Sequence, residues 1–323
     1  MSGPPPAVAA VRSAVRRCLA PLPADTTVLV ACSGGADSLA LAGAAAFEAP
    51  RLGLRAGAVT VDHGLQEGSA ERAGKVAATL TGLGLEPVVV RTVEVTGPGG
   101  PEGAARTARH AALTEEIAAR SPAVALLGHT LDDQAETVLL GLARGSGARS
   151  LAGMAPRNGP LLRPMLDLDR GTVRAACGLM GLEPWEDPHN GDPRFARSRV
   201  RHESLPTLER TLGPGVTAAL ARTAALLRAD AEALDVLAAD LRAEAEADGG
   251  GSRAAVLAEA PEALRTRVLR RTAIDAGCPA GALTARHVRE IDRLVVAWRG
   301  QSHIDLPGGV RARRVAGLIR FDR

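Results

Sequence analysis

The sequence predicts an α/β protein: a doubly wound, mainly parallel sheet followed by a mainly helical C-terminal domain. Segments such as Val28–Ala31 and Ala123–Gly128 are short and continuously apolar, the character of strands buried on both faces. Helical stretches of about 12 to 18 residues separate them, and that alternation builds parallel βαβ units with right-handed crossovers. Beyond about Pro206, long Ala/Leu/Arg/Glu stretches replace it, so residues 1–205 are expected to form one domain and 206–323 a second.

Val28–Ala31 reads as the first strand and the Ala/Leu-rich Ser38–Phe47 as the helix after it. Leu54–Val61 is a second strand ending in Asp62-His63-Gly64, and Ser69 opens a helix to Leu83. Pro87–Val95 is a third strand, Gly97–Pro101 a Gly/Pro-rich loop, Glu102–Ala119 a helix, Ala123–Gly128 the fourth strand and Asp132–Ala143 another helix. Open sheets bind ligands beyond the carboxyl ends of their strands, and Ser33, Asp62 and His129 fall at such ends. In the second domain, helices are expected over Val216–Asp248, Ala260–Ala276 and Thr284–Trp298, the first broken by Gly249-Gly250-Gly251-Ser252. Ser302–Phe321 reads as a hairpin around Pro307-Gly308-Gly309.

Composition narrows the function classes. With 46% hydrophobic and 23% charged residues, the 323-residue chain is globular. Its five aromatics, three Phe and two Trp, exclude a surface that binds nucleic acid by stacking bases over rings, so base recognition is expected to use hydrogen bonds and arginine planes. The net charge is only +3, but every basic residue except Lys75 is arginine, which forks onto phosphates. Local clusters therefore inform more than the total: Arg194, Arg197, Arg199 and Arg201 lie close together, as do Arg311, Arg313 and Arg314. Cys18, Cys32, Cys177 and Cys278 are scattered, without C-x-x-C or Cys/His ligand spacing, which fits a reducing cytosol and suggests neither zinc nor an iron–sulfur cluster. No signal peptide or membrane span is expected, and the location expected is cytoplasmic.

Thr26–Ser38 runs a strand straight into a Gly-Gly turn carrying Ser33, Asp37 and Ser38. Gly34 and Gly35 let backbone N–H groups approach an anion, with a helix N-terminus behind them. A Walker A loop is excluded because Lys75 is far away, and S-G-G-A-D-S does not supply G-x-G-x-x-G. The hexapeptide resembles the PP-loop of the N-type ATP pyrophosphatases, in which ATP phosphates are held while an acyl or base oxygen is adenylated with loss of pyrophosphate. The blander reading is a turn whose Ser and Asp cap a helix.

His129-Thr130-Leu131-Asp132-Asp133-Gln134-Ala135-Glu136 sets four ionisable groups at a helix start. Asp133 and Glu136 are i,i+3 and Asp132 and Glu136 i,i+4, so on a helix they converge toward one edge. A Thr130 cap with Asp133 at N3 explains Asp133 alone, without a third carboxylate and a histidine. Glu102, Arg106, Arg109 and Leu113 share a helix stripe that reads either as a solvated face or as arginines reaching a phosphate or base. Arg144–Met154 is a Gly-rich loop with two arginines, and Trp185-Glu186-Asp187-Pro188-His189-Asn190 sets a turn beside Arg194–Arg201.

Taken in order, S-G-G-A-D-S, V-D-H-G-L, E-G-A-A-R-T-A-R-H, H-T-L-D-D-Q-A-E-T, R-G-S-G-A-R-S-L-A-G-M, L-L-R-P-M-L, W-E-D-P-H-N and R-S-R-V-R-H resemble the tRNA(Ile)-lysidine synthetases over roughly Val28–Pro206. His110 stands where that family commonly has Tyr and Ser198 where it has Asn. The resemblance implies a PP-loop, adenine nucleotide alpha-hydrolase-like fold, and adenylation by ATP of the wobble cytidine C2 oxygen in the CAU anticodon of tRNA(Ile). Free lysine then displaces AMP. It implies that Ser33, Gly34, Gly35, Ala36, Asp37 and Ser38, with Asp62 and His63, bind ATP, and that Asp37 binds Mg²⁺. Arg106 and Arg109 would stabilise the adenylate or the cytidine, with Asp133 and Glu136 orienting base and amine and His129 or Asp132 accepting a proton. Arg144, Arg194, Arg197, Arg199 and Arg201 would contact tRNA, and the assembly is left open between monomer and homodimer. A cytidine thiolase is disfavoured by the missing C-x-x-C, and a non-catalytic ATP-binding stress-type protein by Asp37, Asp133 and Glu136.

Overall fold

Four apolar strands with helical crossovers do form the central sheet, and the route of the chain through it creates a crevice. The structure, a computed structural model, describes residues 3–64, 68–96, 100–145, 147–186, 191–248 and 250–323, the side chains of 100–102 excepted. The expected loop residues 97–99, the turn at 187–190, Leu65, Ser146, Gly249 and the Glu102 side chain lie outside them. The chain divides into two units, Met1–Leu227 and Arg228–Arg323.

In the first unit, β1 (Thr27–Ala31), β2 (Arg55–Asp62), β3 (Val88–Thr92), β4 (Ala123–Leu127), β5 (Arg157–Asn158) and β6 (Leu161–Leu162) lie in the order β3-β2-β1-β4-β6-β5. All pairs are parallel except β5 with β6. From β1 the chain builds outward to β3, then returns to place β4 on the other side of β1. The strand order reverses there, and such a switch point opens a crevice at the carboxyl ends of β1 and β4. The helices α1 (Pro6–Leu19), α2 (Ala36–Glu48), α3 (Ser69–Gly82), α4 (Gly100–Ala118), α5 (Leu131–Ala143), α6 (Ala148–Leu151) and α7 (Arg170–Leu179) follow in chain order. Next come α8 (Ala196–Arg199), a π-turn at Val200–Ser204, α9 (Leu205–Leu212) and the start of α10 (Val216–Ala245).

The sheet is covered on both faces. Val11, Val15 and Leu19 of α1, Leu41 and Ala44 of α2, Leu80 of α3 and Val173 of α7 pack with Val28 and Val30. On the other face, Leu113 and Ile117 of α4 pack with Leu29, Val59 and Leu127. The sequence pattern does not announce α1, which has no side-chain cap and whose stripe is made of short residues. It is tied to α2 by Glu48, which accepts from Arg12 Nε at 2.9 Å and Arg16 Nε at 2.8 Å.

The second unit adds to the end of α10 the helices α11 (Ala254–Glu259), α12 (Glu262–Asp275) and α13 (Ala285–Val296). β7 (Ser252–Arg253), β8 (Ile304–Leu306), β9 (Val310–Val315) and β10 (Leu318–Asp322) form an antiparallel sheet, ordered β7-β10-β9-β8. The hairpin expected around Pro307–Gly309 is β8–β9. A second one, β9–β10, turns on Ala316 and Gly317, both with positive φ, a two-residue geometry that Ala seldom adopts and that the sequence therefore does not signal. Between α12 and α13, Arg265 makes a buried fork on Asp292, at 2.5 Å and 3.1 Å. Asp292→Ala is expected to lower the stability of this unit by about 3 to 5 kcal/mol, because it strands a buried guanidinium. In chemical denaturation, Arg265→Met combined with Asp292→Leu should recover most of that loss.

Candidate active site

The Gly-Gly loop sits at the switch point, wedged between two neighbours. Gly34 has φ +84°, and a Cβ there would lie 2.6 Å from Val76 Cγ2 of α3. A Cβ at Gly128, just after β4, would come within 3.2 Å of Ser38 N and 3.3 Å of the Asp37 carbonyl. Gly35 is the N-cap of α2 and offers no side-chain cap, so the first-turn N–H groups stay available to an anion. Ser38 Oγ donates to Gly35 O at 2.9 Å and accepts from Ser33 N at 3.2 Å, which fixes the loop from within.

The start of α5 holds the capping box expected from Thr130 and Asp133: Thr130 N donates to Asp133 Oδ2 at 2.9 Å. It also holds more. Asp133 is 8% exposed and Glu136 0%, and three arginines converge on them. Arg170 Nη2 donates to Asp133 and Glu136 at 3.1 Å each. Arg197 Nε reaches Glu136 at 2.8 Å, and Arg201 reaches Glu136 at 2.7 Å and Asp133 at 3.1 Å. Burial opposes ionisation of Asp133, but Arg170 and Arg197 and the Thr130 N–H outweigh it and hold the carboxyl below its ordinary range. Burial is likewise overcome at Glu136, chiefly by Arg201.

Asp37 is in the opposite position. Burial first, and then the charge of Asp133, push its pKa up to about 6 against the pull of Arg170, Arg174 and Arg201. Arg170 Nε is 3.9 Å from its Oδ2. Burial lowers His129 to about 4, helped by Arg163, Arg197 and Arg106 and opposed by Asp133, so its imidazole is neutral at pH 7.

A cavity of about 1910 Å³ opens over these groups. It brings together the loop from Ser33 through Gly34, Gly35, Ala36 and Asp37 to Ser38; Asp62 at the end of β2 and His63 just after it; and Arg109, His129, Asp133, Arg197 and Arg201. Arg109 Nη2 is 3.5 Å from His63 Nε2, and Asp62 closes its own turn by accepting from Gly64 N at 2.9 Å. Four buried polar atoms of lining residues have no hydrogen-bond partner among the described residues: Asp37 Oδ1, His63 Nδ1, His129 Nδ1 and Arg170 Nε. Buried polar groups are rarely left so, and a cluster of them marks a place made for a ligand. For Mg²⁺, the single carboxylate of Asp37 with its unpaired Oδ1 fits an ion that arrives on nucleotide phosphates and takes one or two protein carboxylates.

Other residues named from the sequence lie elsewhere. Asp132 Oδ2 accepts from Arg170 N at 2.7 Å and so caps α7, and Glu136 lies behind its arginines, outside the cavity lining. Arg106 and Arg144 are exposed. The run at 194–201 is divided: Arg197 and Arg201 turn inward, Arg194 pairs with Asp192 at the surface, and Arg199 donates to the Pro193 and Arg194 carbonyls. Sequence reasoning misses Arg170, although Asp169 before it, accepting from Thr172 N, is a cap signal that marks a helix start. Trp185 stands out in the sequence only as part of a turn; its backbone N–H donates to Gly34 O at 3.0 Å, and the Arg72 guanidinium lies 4.7 Å from its ring centre, so this segment straps the loop.

A buried strand, a Gly-Gly loop on a helix N-terminus and unpaired polar atoms at a switch point define a PP-loop ATP-utilising domain, and the family model described as a PP-loop domain matches residues 9–208. A second model, described as the TilS substrate binding domain, matches residues 253–319. The tRNA(Ile)-lysidine synthase of Thermobifida fusca (strain YX) is 66% identical over 319 residues, covering 99% of this chain and 98% of that protein. The enzyme of the same name from Streptomyces coelicolor is 55% identical over 346 residues, covering 98% of each. The chain belongs to the tRNA(Ile)-lysidine synthase family. Among solved structures, the U34-tRNA thiolase NcsA from Methanococcus maripaludis with its [4Fe-4S] cluster shares the fold, with a TM-score of 0.57 at 20% identity over 69% of this chain and 80% of that one.

Asp37 supplies a test. Its carboxyl titrates near 6 in the folded chain against 3.8 for the free group, so between those values the folded state holds a proton that the unfolded state has lost. Stability from this group therefore falls as pH rises through the window, and the whole penalty is present at pH 7. Without nucleotide or metal, Asp37→Asn should be more stable than wild type at pH 7 by about 1 to 3 kcal/mol, with the difference vanishing below pH 4. A variant less stable than wild type at pH 7 would contradict this environment.

Proposed function

We propose that the chain ligates free lysine to C2 of the wobble cytidine in the CAU anticodon of tRNA(Ile), using ATP, in the cytoplasm. The observation that carries this reading is the set of unpaired polar atoms at Asp37, His63, His129 and Arg170 around the Gly-Gly loop. In the first step the cytidine C2 oxygen attacks the α-phosphorus of ATP and pyrophosphate leaves. Loop N–H groups and the α2 N-terminus hold the phosphates, and Arg170 faces them with an unused N–H. Mg²⁺ bound with ATP would be held by Asp37 and would neutralise phosphate charge.

In the second step the lysine side-chain amine attacks C2, the C2–O bond breaks, and AMP leaves with the oxygen. Lysine arrives as an ammonium, so its nitrogen loses one proton to solvent before it can attack and a second once the N–C bond forms, when its acidity has risen. His129, neutral at pH 7 with Nδ1 unpaired, does not repel the incoming ammonium and is assigned to accept the second proton. Arg109, beside His63, is assigned to the cytidine or its adenylate. Asp133 and Glu136 act by holding Arg170, Arg197 and Arg201, and exposed Arg144, Arg194 and Arg199 are assigned to tRNA phosphates, Arg194 by exchanging its Asp192 partner. Catalysis is assigned to residues 1–205, and residues 206–323 are assigned to tRNA recognition alongside those arginines.

The experiment is incorporation of labelled lysine into a tRNA(Ile) transcript with a CAU anticodon, with nucleotide products separated. Lysine should enter the RNA with one AMP and one pyrophosphate formed per lysine. ADP and phosphate, or ATP cleavage without lysine in the RNA, would overturn the assignment.

A further inference from the structure

One ring qualifies the expectation that stacking plays no part in RNA binding. α13 ends at Val296, and Trp298, just beyond it, keeps 47% of its surface exposed although the chain has only two tryptophans to spend on cores. Its ring is held from one side: the Arg314 guanidinium lies 5.1 Å from the centroid and donates to the Leu294 and Val295 carbonyls, both at 3.0 Å. Arg314 thus also covers the negative end of α13, which would otherwise repel phosphate. Its sequence neighbours are engaged elsewhere, Arg311 on Asp305 and Arg313 on Asp322.

The segment that carries the ring is basic. Arg289, Arg293 and Val296 recur at i, i+4 and i+7 on the exposed side of α13, and Arg299 adjoins Trp298. Among the described residues, Arg289, Arg293 and Arg299 form no ion pair, and they are exposed. A half-open indole held by Arg314, on a segment that carries exposed guanidiniums without ion-pair partners, is complementary to a nucleotide, a flat π-face attached to an anion.

We propose that Trp298, with Arg293 and Arg299, forms a single-base stacking site for the RNA substrate, an unpaired nucleobase lying on the open face of the indole and neighbouring phosphates on the two arginines. The proposal rests on the reading of the chain as a tRNA-modifying enzyme. Every base has a π-face, so the site adds affinity and orientation rather than sequence choice.

The test is binding of the CAU-anticodon transcript to the full chain, with thermal melts to show that each variant is folded. Trp298→Ala should raise Kd about tenfold without changing the salt dependence, and Trp298→Phe, which keeps a ring, should recover most of it. Arg293→Gln with Arg299→Gln should reduce the slope of log K against log salt by about 0.7 for each single-strand phosphate that the chain then fails to neutralise. The part of the tryptophan emission that disappears in Trp298→Phe should be quenched by RNA. If Trp298→Ala binds as tightly as wild type, or Trp298→Phe loses as much as Trp298→Ala, the stacking site is overturned even while wild-type lysine incorporation stands. A wild-type chain that binds the transcript and quenches Trp298 but incorporates no lysine overturns the proposed reaction and leaves the stacking site in place.

Discussion

Two carboxylates one turn apart on α5 set the terms for the rest of the site. Asp133 and Glu136 are buried, and charges so placed must be matched by cations or they neutralise. The matching cations come from different elements: Arg170 opens α7, while Arg197 and Arg201 lie on α8 and the π-turn after it. One electrostatic knot therefore joins α5, α7 and the α8–α9 segment behind the carboxyl ends of the strands. Three guanidiniums against two carboxylates leave one positive charge over, and the Asp37 carboxylate beside the loop offsets it at pH 7. A cation taken up by Asp37 would release that charge toward a triphosphate.

The same knot accounts for what is left unsatisfied. Asp133 helps to push the Asp37 carboxyl up, and Arg170, committed through Nη2, keeps Nε unpaired. Burial and the surrounding guanidiniums keep the imidazole of His129 neutral. Each of these is a local loss of stability, tolerable because well-packed Val, Leu and Ala on both faces of the sheet hold the strand ends in place.

Much of this is legible in the sequence. Val28–Ala31 and Ala123–Gly128 read as buried strands because no polar residue interrupts them, and the glycines before Asp37 expose the loop. The Thr130–Asp133 capping box is legible for the same local reason. Partners distant in sequence are not. Asp132 and Glu136 share a face by spacing, yet Asp132 turns to the Arg170 N–H, because i,i+4 spacing fixes where a side chain starts and not what it meets. Four arginines within a short stretch look alike in sequence; only the helical phase that puts Arg197 and Arg201 on one face separates them from Arg194 and Arg199. Composition argues against a platform of rings but says nothing of one exposed ring at Trp298.

If Glu136 acts by holding the three arginines, Glu136→Gln should loosen all of them at once. Its side chain is fully buried and meets all three guanidiniums, so removing its charge should lower stability at pH 7 by about 2 to 4 kcal/mol. The deficit should shrink as pH falls through the depressed pKa of Glu136, where the wild-type carboxyl also loses its charge. Single-turnover adenylation should fall together with lysine transfer, each by at least about tenfold, because Arg170 loses its anchor. A variant as stable as wild type that adenylates and transfers lysine at the full rate would show that the arginines do not depend on Glu136.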